Sequence, residues 1–183
     1  MTEPSFAKSF EEFAKPMIAG NKSPEETIAF YLSGVDALNA ALNGLSDADL
    51  DLARAEGKWS IRQIAHHIVD GDDIWSMVVK AMIGNPGCTF VLDWYDQDPW
   101  VQEMNYRKRP VDVTLALFRA RRYQIAEILH HVPDVWERSA RIVMRQIPAG
   151  LQWTVAFTVL VQACHTLWHI EQIRQTRQVH TRL

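Results

Sequence analysis

Gly57-Lys58-Trp59-Ser60-Ile61-Arg62-Gln63-Ile64-Ala65-His66-His67-Ile68-Val69-Asp70 is the stretch on which the fold turns. Ser60 is a helix cap, and Gln63 completes an S-x-x-Q box in which each side chain satisfies the other residue's backbone N–H. The helix begun here keeps an apolar period to Gly84, where Gly84-Asn85-Pro86-Gly87 stops it. With Ile64 at the origin and about 100° per residue, Ile61, Ile68, Trp75, Val78, Val79 and Met82 fall within about 60° of it and form the buried face. On this projection His67 lies at about −60°, on the inner flank, and His66 at about 200°, on the outer side with Arg62 and Asp73. Asp70, one turn beyond His67, shares its flank and is placed to orient its ring or to meet a bound ligand.

Three more helices of similar length follow from the same signals. From Pro24 to Asn43, capped by Ser23 and stopped by Gly44, the residues Ile28, Tyr31, Leu32, Val35, Leu38 and Leu42 recur at helical spacing. A third helix spans about Asp112 to His131, with Val113, Leu117, Ala120, Ile125 and Leu129 toward the core and Pro133 beyond its end. The fourth runs from about Val155 to Gln178 behind a Thr154 cap. Between the second and third lies a long connection, Asn85 to Pro110, with a short helical turn near Pro99 to Tyr106; such loops are often functional. Ser139 to Ile147 alternates as a short strand or hairpin does, closed by Pro148 and Gly150. The expected fold is all-α, a four-helix bundle with long connections and a short hairpin near 139–147.

The fourth helix is apolar around most of its circumference, and its polar residues form one stripe: Thr158, Gln162, His165, His169 and Gln172. His165 and His169 are i, i+4 neighbours, roughly 6 Å apart at Cβ, a spacing at which two imidazoles grip one metal ion. An ordinary amphipathic helix also has one polar stripe, with its histidines in water. A bundle that buries the facing sides of its second and fourth helices would instead bring His67 to that pair, giving three ligands and open positions, the pattern of catalytic zinc and related metals. Trp59, Trp168 and Gln172 either border a pocket there or simply pack. Cys164 points away from His165 and reads as a buried, inert thiol. His130 and His131 suit the helix dipole at a C-terminus. Arg119, Arg121 and Arg122 read as a solvated face paired with Asp or Glu, the alternative being a contact for an anionic substrate, and His180 lies in a frayed tail.

Composition bounds the function. The chain has 183 residues, 48% hydrophobic and 22% charged, with net charge −3, which suits one domain over 1–183 whose core needs neither disulfide nor structural metal. A slightly acidic balance gives no field for a phosphate backbone, so nucleic acid is an unexpected partner. Cys88 and Cys164 belong to no CxxC pair, and no signal segment or apolar run of about 18 residues is found. The expected setting is cytoplasmic, with no membrane partner.

The stretch from Gly57 to Asp70, followed by His165-x3-His169-Ile170-Glu171-Gln172-Ile173, resembles the DinB superfamily, and within it the YfiT-like branch of metal-dependent hydrolases and bacillithiol transferases. Trp94-Tyr95-Asp96-Gln97-Asp98-Pro99-Trp100 is similar to a Y-D-x-x-x-W element of that branch. The resemblance implies a divalent metal (Zn, Ni, Fe, Co or Mn) on His67, His165 and His169, with Asp70 in the H-x-x-D context of the first ligand. It implies a hydrolase or a transferase that uses a low-molecular-weight thiol, acting on a small molecule, and a homodimer. Around the last pair the branch often carries further histidines, where this chain has Leu167, Trp168 and Gln172. The alternative from another class is a metal-free helical bundle that binds a partner or dimerises, its histidines serving as polar fillers.

Overall fold

Ser60 begins its helix as the sequence predicts: its hydroxyl accepts from the Gln63 N–H (3.3 Å), and Gln63 Oε1 accepts from the Ser60 N–H (2.9 Å). The structure, a computed structural model, describes residues 6–20 and 22–181. In chain order it comprises α1 (Phe6–Ile18), α2 (Pro24–Leu42), α3 (Asp47–Leu50), α4 (Ile61–Gly84), β1 (Thr89–Leu92), α5 (Gln97–Glu103), a 3-10 turn (Tyr106–Lys108), α6 (Asp112–His131), β2 (Ser139–Met144), β3 (Ile147–Thr154) and α7 (Val155–Thr181). The long helices α2, α4, α6 and α7 form a four-helix bundle, and α1 packs along α7. No helix among the described residues is long and apolar enough to cross a membrane.

A small sheet modifies the all-α expectation. β1, inside the long connection, pairs in parallel with β2, and β2 pairs antiparallel with β3. The hairpin is longer than expected, because the chain turns at Arg145-Gln146 and β3 runs through Pro148 and Gly150 to Thr154. Pro148 is tolerated because β3 is an edge strand, where a missing N–H breaks no ladder. Thr154 then caps α7, its hydroxyl accepting from the Phe157 N–H (3.1 Å).

Two apolar clusters fill the bundle. One joins Ile28, Val78, Met82, Ile125, Leu129 and Val159 to the sheet through Leu92 and Ile142; the other joins Val35, Leu38, Ile61, Ile68, Phe118 and Ile170. A polar layer centred on Arg122 and Asp72 reaches both, and it corrects the reading of the third helix. Val113 and Leu117 are exposed (76% and 45%) and Ala120 is on the surface, whereas Thr114, Phe118 and Arg122 face inward with Ile125 and Leu129. The arginine cluster is therefore divided: Arg119 is exposed, Arg121 pairs with Asp73 (2.9 Å), and Arg122 is fully buried. Its guanidinium donates to Asp72 Oδ1 through Nε (3.0 Å) and Nη2 (2.9 Å), to Thr166 Oγ1 (2.6 Å), and to the Tyr31 carbonyl. The rings of Tyr31 and Phe118 lie 4.1 and 4.6 Å from it.

Gly34 leaves the room this layer needs. A Cβ at position 34 would sit 2.6 Å from Arg122 Nη1 and 3.1 Å from Thr166 Cγ2. Alanine has about 1 kcal/mol of helix propensity over glycine, so any net loss reports the clash. Gly34→Ala is expected to lower stability in urea by about 1–3 kcal/mol; a neutral or stabilised variant would mean that Arg122 yields.

The outer side assigned to α4 is also buried over its first turns, because α3, the 3-10 turn and α6 cover it. Arg62 is 4% exposed and donates to Asp51 Oδ1 (2.7 Å) and Asp47 Oδ1 (2.8 Å). His66 is fully buried, with Nε2 at 3.1 Å from the Arg109 carbonyl and Nδ1 at 3.0 Å from Thr114 Oγ1. His180 is not in a frayed tail: α7 continues past it, and its Nε2 donates to the Ala53 carbonyl (3.0 Å).

Candidate metal centre

α4 delivers one imidazole to the bundle interior and α7 delivers two. The ligand atoms of His67, His165 and His169 all lie within 4.8 Å of one another, and no other such group of His, Cys, Asp or Glu occurs among the described residues. Ring centroids are 4.6 Å apart for His67 and His169, 5.3 Å for His67 and His165, and 4.5 Å for His165 and His169. The adjacent pair on α4 is thus resolved by what each ring meets. His67 joins the α7 pair, while both nitrogens of His66 are engaged elsewhere.

The donor set suits a divalent metal. His67 and His169 are buried and His165 is half-buried. Burial, the largest cause in each case, holds His67 and His169 well below the ordinary imidazole range and takes His165 down to about 4; the Arg122 charge adds to the shift at His165. All three rings are neutral near pH 7, the form a metal takes. His169 Nδ1 lies 3.3 Å from Gln172 Oε1, a hydrogen bond that places the proton on Nδ1 and leaves Nε2 as donor atom. That Nε2 is 3.1 Å from His165 Nε2, close to the separation of about 3.3 Å that two nitrogens have on one tetrahedral zinc. His67 Nε2 is buried without a hydrogen-bond partner among the described residues. Such an orphan costs about 1–3 kcal/mol unless something meets it, and a metal ion shared with the facing pair would do so.

Neutral burial has a pH signature. A histidine whose folded pKa lies below its unfolded value near 6.5 takes up its proton only on unfolding, so the unfolded chain gains protons as pH falls. Stability of the metal-free protein is therefore expected to fall between about pH 6.5 and 4, by about 1.4 kcal/mol per unit for each histidine that stays neutral. Urea denaturation at stepped pH measures it. A flat profile over that window would show the rings to be protonated in the fold.

A cavity of about 610 Å³ opens beside the cluster, lined by His169 and Gln172 of α7, walled by Trp59, Trp168 and Phe13, with Arg54, Lys58, Asp98 and Glu171 as its charged residues. Trp59 lies 4.8 Å from the His67 ring and stacks on His169 at 6.4 Å and 17°. Both tryptophans that the sequence leaves between pocket and packing therefore line the pocket. Asp70 accepts a hydrogen bond from the Tyr106 hydroxyl. Cys164 is fully buried, and burial pushes its thiol up to about 11, which makes it inert. His131 Nδ1 donates to the Glu127 carbonyl (2.8 Å), within its own helix end. Sequence reasoning does not anticipate the wall supplied by α1, where Phe10 stands edge-on to the His165 ring at 5.9 Å. Its signal is the spacing Phe10, Phe13, Ala14 and Met17, one apolar helical face.

A four-helix bundle that gathers three histidines from two facing helices beside a cavity of small-molecule size defines a class of bundle with a built-in imidazole cluster. The chain belongs to the DinB superfamily, whose family model matches residues 29–173. Among curated relatives, two proteins named "Putative metal-dependent hydrolase" are 24% identical over 60% of the chain (Geobacillus thermodenitrificans) and 25% identical over 57% (Bacillus licheniformis). The chain spans 61% and 58% of the length of these two. A protein of the same designation from Oceanobacillus iheyensis is 24% identical over 75% of each chain. Among solved structures, YfiT from Bacillus subtilis, described as a "probable metal-dependent hydrolase with an unusual four-helix bundle topology", matches 88% of this chain and 91% of its own at 18% identity, with TM-score 0.77. The fold is thus that of YfiT.

Proposed function

We propose that the chain is a metal-dependent enzyme of the YfiT type in which His67, His165 and His169 hold one divalent ion, and that it acts on a small molecule as a hydrolase or as a transferase using a low-molecular-weight thiol. The observation that carries this reading is the convergence of three neutral imidazoles, one with a buried orphan nitrogen, beside a cavity of small-molecule size. The names of the relatives support it independently. When bound, the ion would supply Lewis-acid polarisation and lower the pKa of a bound water or thiol, toward ~7 for water.

This chain's own residues prepare the site around it. Gln172 fixes the tautomer of His169. Trp59 and Trp168 pack against the rings and thin the water next to them. Asp70 enters as a positioning residue, because its bond to Tyr106 ties the stretch of α4 carrying His67 to the 3-10 turn. Zn, Ni, Fe, Co and Mn all suit an imidazole set, and a homodimer belongs to the same reading through the family. Metal analysis of the purified protein tests it. One equivalent of ion per chain is expected, and a chain that holds none and takes up neither zinc nor nickel would overturn it.

A further inference from the structure

The cavity contains a cation that the fold does not use. Arg54, half-buried in the connection between α3 and α4, lines the cavity with His169 and Trp59. Its guanidinium makes no hydrogen bond or ion pair among the described residues. Other arginines that leave the surface have partners: Arg62 has Asp47 and Asp51, Arg121 has Asp73, Arg122 has Asp72, Arg138 and Arg177 have the Ile83 and Ala41 carbonyls, and Arg109 lies over the Tyr106 ring. Holding a long charged side chain half out of water with no partner costs entropy and solvation, which a site tolerates when the partner arrives with a ligand.

The other charges of the cavity do not satisfy it. Glu171 lies 3.8 Å from Arg174 on its own helix, and Asp98 is exposed on α5. Lys58 places a second cation in the lining. Arg54 and His169 line the same cavity, so a ligand held there by Arg54 lies next to the histidine cluster. A guanidinium presents paired donors in a planar fork that matches a carboxylate or phosphate.

We infer that Arg54 anchors an anionic group, a carboxylate or phosphate, of the small molecule that enters this cavity, and so makes the enzyme selective for anionic substrates. The inference rests on reading the cavity beside the histidines as the substrate site. It is tested by titrating inorganic phosphate and succinate separately into metal-free and zinc-loaded protein, following the Trp59 indole N–H resonance. Arg54→Gln, Arg54→Lys and the exposed control Arg107→Gln are compared with the parent chain.

Saturable binding of at least one anion to the metal-free parent chain is expected, weakened tenfold or more in Arg54→Gln, part-restored in Arg54→Lys, and unchanged in Arg107→Gln. Which anion shows that dependence names the group. Because Arg54 has no hydrogen-bond or ion-pair partner to lose among the described residues, Arg54→Gln should melt at the parent temperature, so weakened binding does not report misfolding. Equal binding by Arg54→Gln, or no shift at Trp59 in either form of the parent chain, overturns the inference. Binding that requires zinc and survives Arg54→Gln places the anion on the metal, so the metal centre stands and the Arg54 anchor falls. Arg54-dependent binding by a chain that takes up no metal does the reverse: the anchor stands and the metal centre falls.

Discussion

His165→Ala is expected to lose stoichiometric uptake of zinc or nickel, as are His67→Ala and His169→Ala, while His66→Ala keeps it. The contrast between neighbours 66 and 67 is the sharp part, since one histidine beside another is chemically the same residue. What separates them is occupancy of their nitrogens: His66 is engaged at both by Arg109 and Thr114, and His67 Nε2 has no hydrogen-bond partner among the described residues. Outer-shell partners alone change metal affinity 10–100-fold, so removing a ligand should cost more than about 100-fold. Stability should show the opposite order. His66→Ala strands the Thr114 hydroxyl, leaves the Arg109 carbonyl with Arg62 Nη1 alone (3.3 Å), and opens a cavity, at a cost of about 1–3 kcal/mol. In metal-free protein, His67→Ala removes an orphan along with its ring, so its cost should be smaller. Metal titration and urea denaturation of the four variants check both orders, and uptake lost in His66→Ala but kept in His165→Ala would sink the assignment.

The three clustered histidines are legible in the sequence because they obey period. His165 and His169 sit on the one polar stripe of an otherwise apolar helix, and the Ser60 box fixes the phase of α4, so the residue one step inside the flank can be counted out. Period fails where tertiary cover is supplied by segments whose own pattern is weak. The helix wheel puts Arg62 and His66 in solvent because nothing in α4 announces that α3 and the 3-10 turn lie over it. In α6 the apolar residues Val113 and Leu117 draw the face outward, while a fully buried arginine holds the true one. A charged residue inside a core is legible only with its partner, and Asp72 stands 50 positions away from Arg122. β1 escapes detection for a related reason: four residues, Thr89 to Leu92, become a strand only by pairing with β2.

The second large effect follows from that buried pair. From α6, Arg122 reaches the Tyr31 carbonyl of α2, Asp72 of α4, and the Gln162 carbonyl and Thr166 of α7, so one side chain ties together all four long helices. Burial pushes the Asp72 carboxyl up from its ordinary value and the guanidinium opposes that shift; an arginine stays charged inside proteins, so Asp72 is its counter-ion. Asp72→Ala leaves a buried cation unpaired and is expected to cost about 3–5 kcal/mol, a fall in Tm of roughly 6–20 °C for a chain of this size. Arg122→Met should cost a similar amount by stranding the carboxylate. The double variant Asp72→Leu with Arg122→Met removes both charges together, and it should recover about 2 kcal/mol relative to the sum of the single losses. The pair also brackets the histidine cluster: Gln162 and Thr166 flank His165 on α7, and a Cβ at Gly71, beside Asp72, would lie 3.8 Å from the His165 ring. Asp72→Ala should therefore weaken metal binding roughly tenfold, as loss of an outer partner does, although neither charge touches a ligand nitrogen. Urea denaturation with metal titration on the cycle separates the outcomes. Single costs that add within about 0.5 kcal/mol would show two independent charges, and metal affinity unmoved in a destabilised Asp72→Ala would show that the layer supports the bundle without setting the ligands.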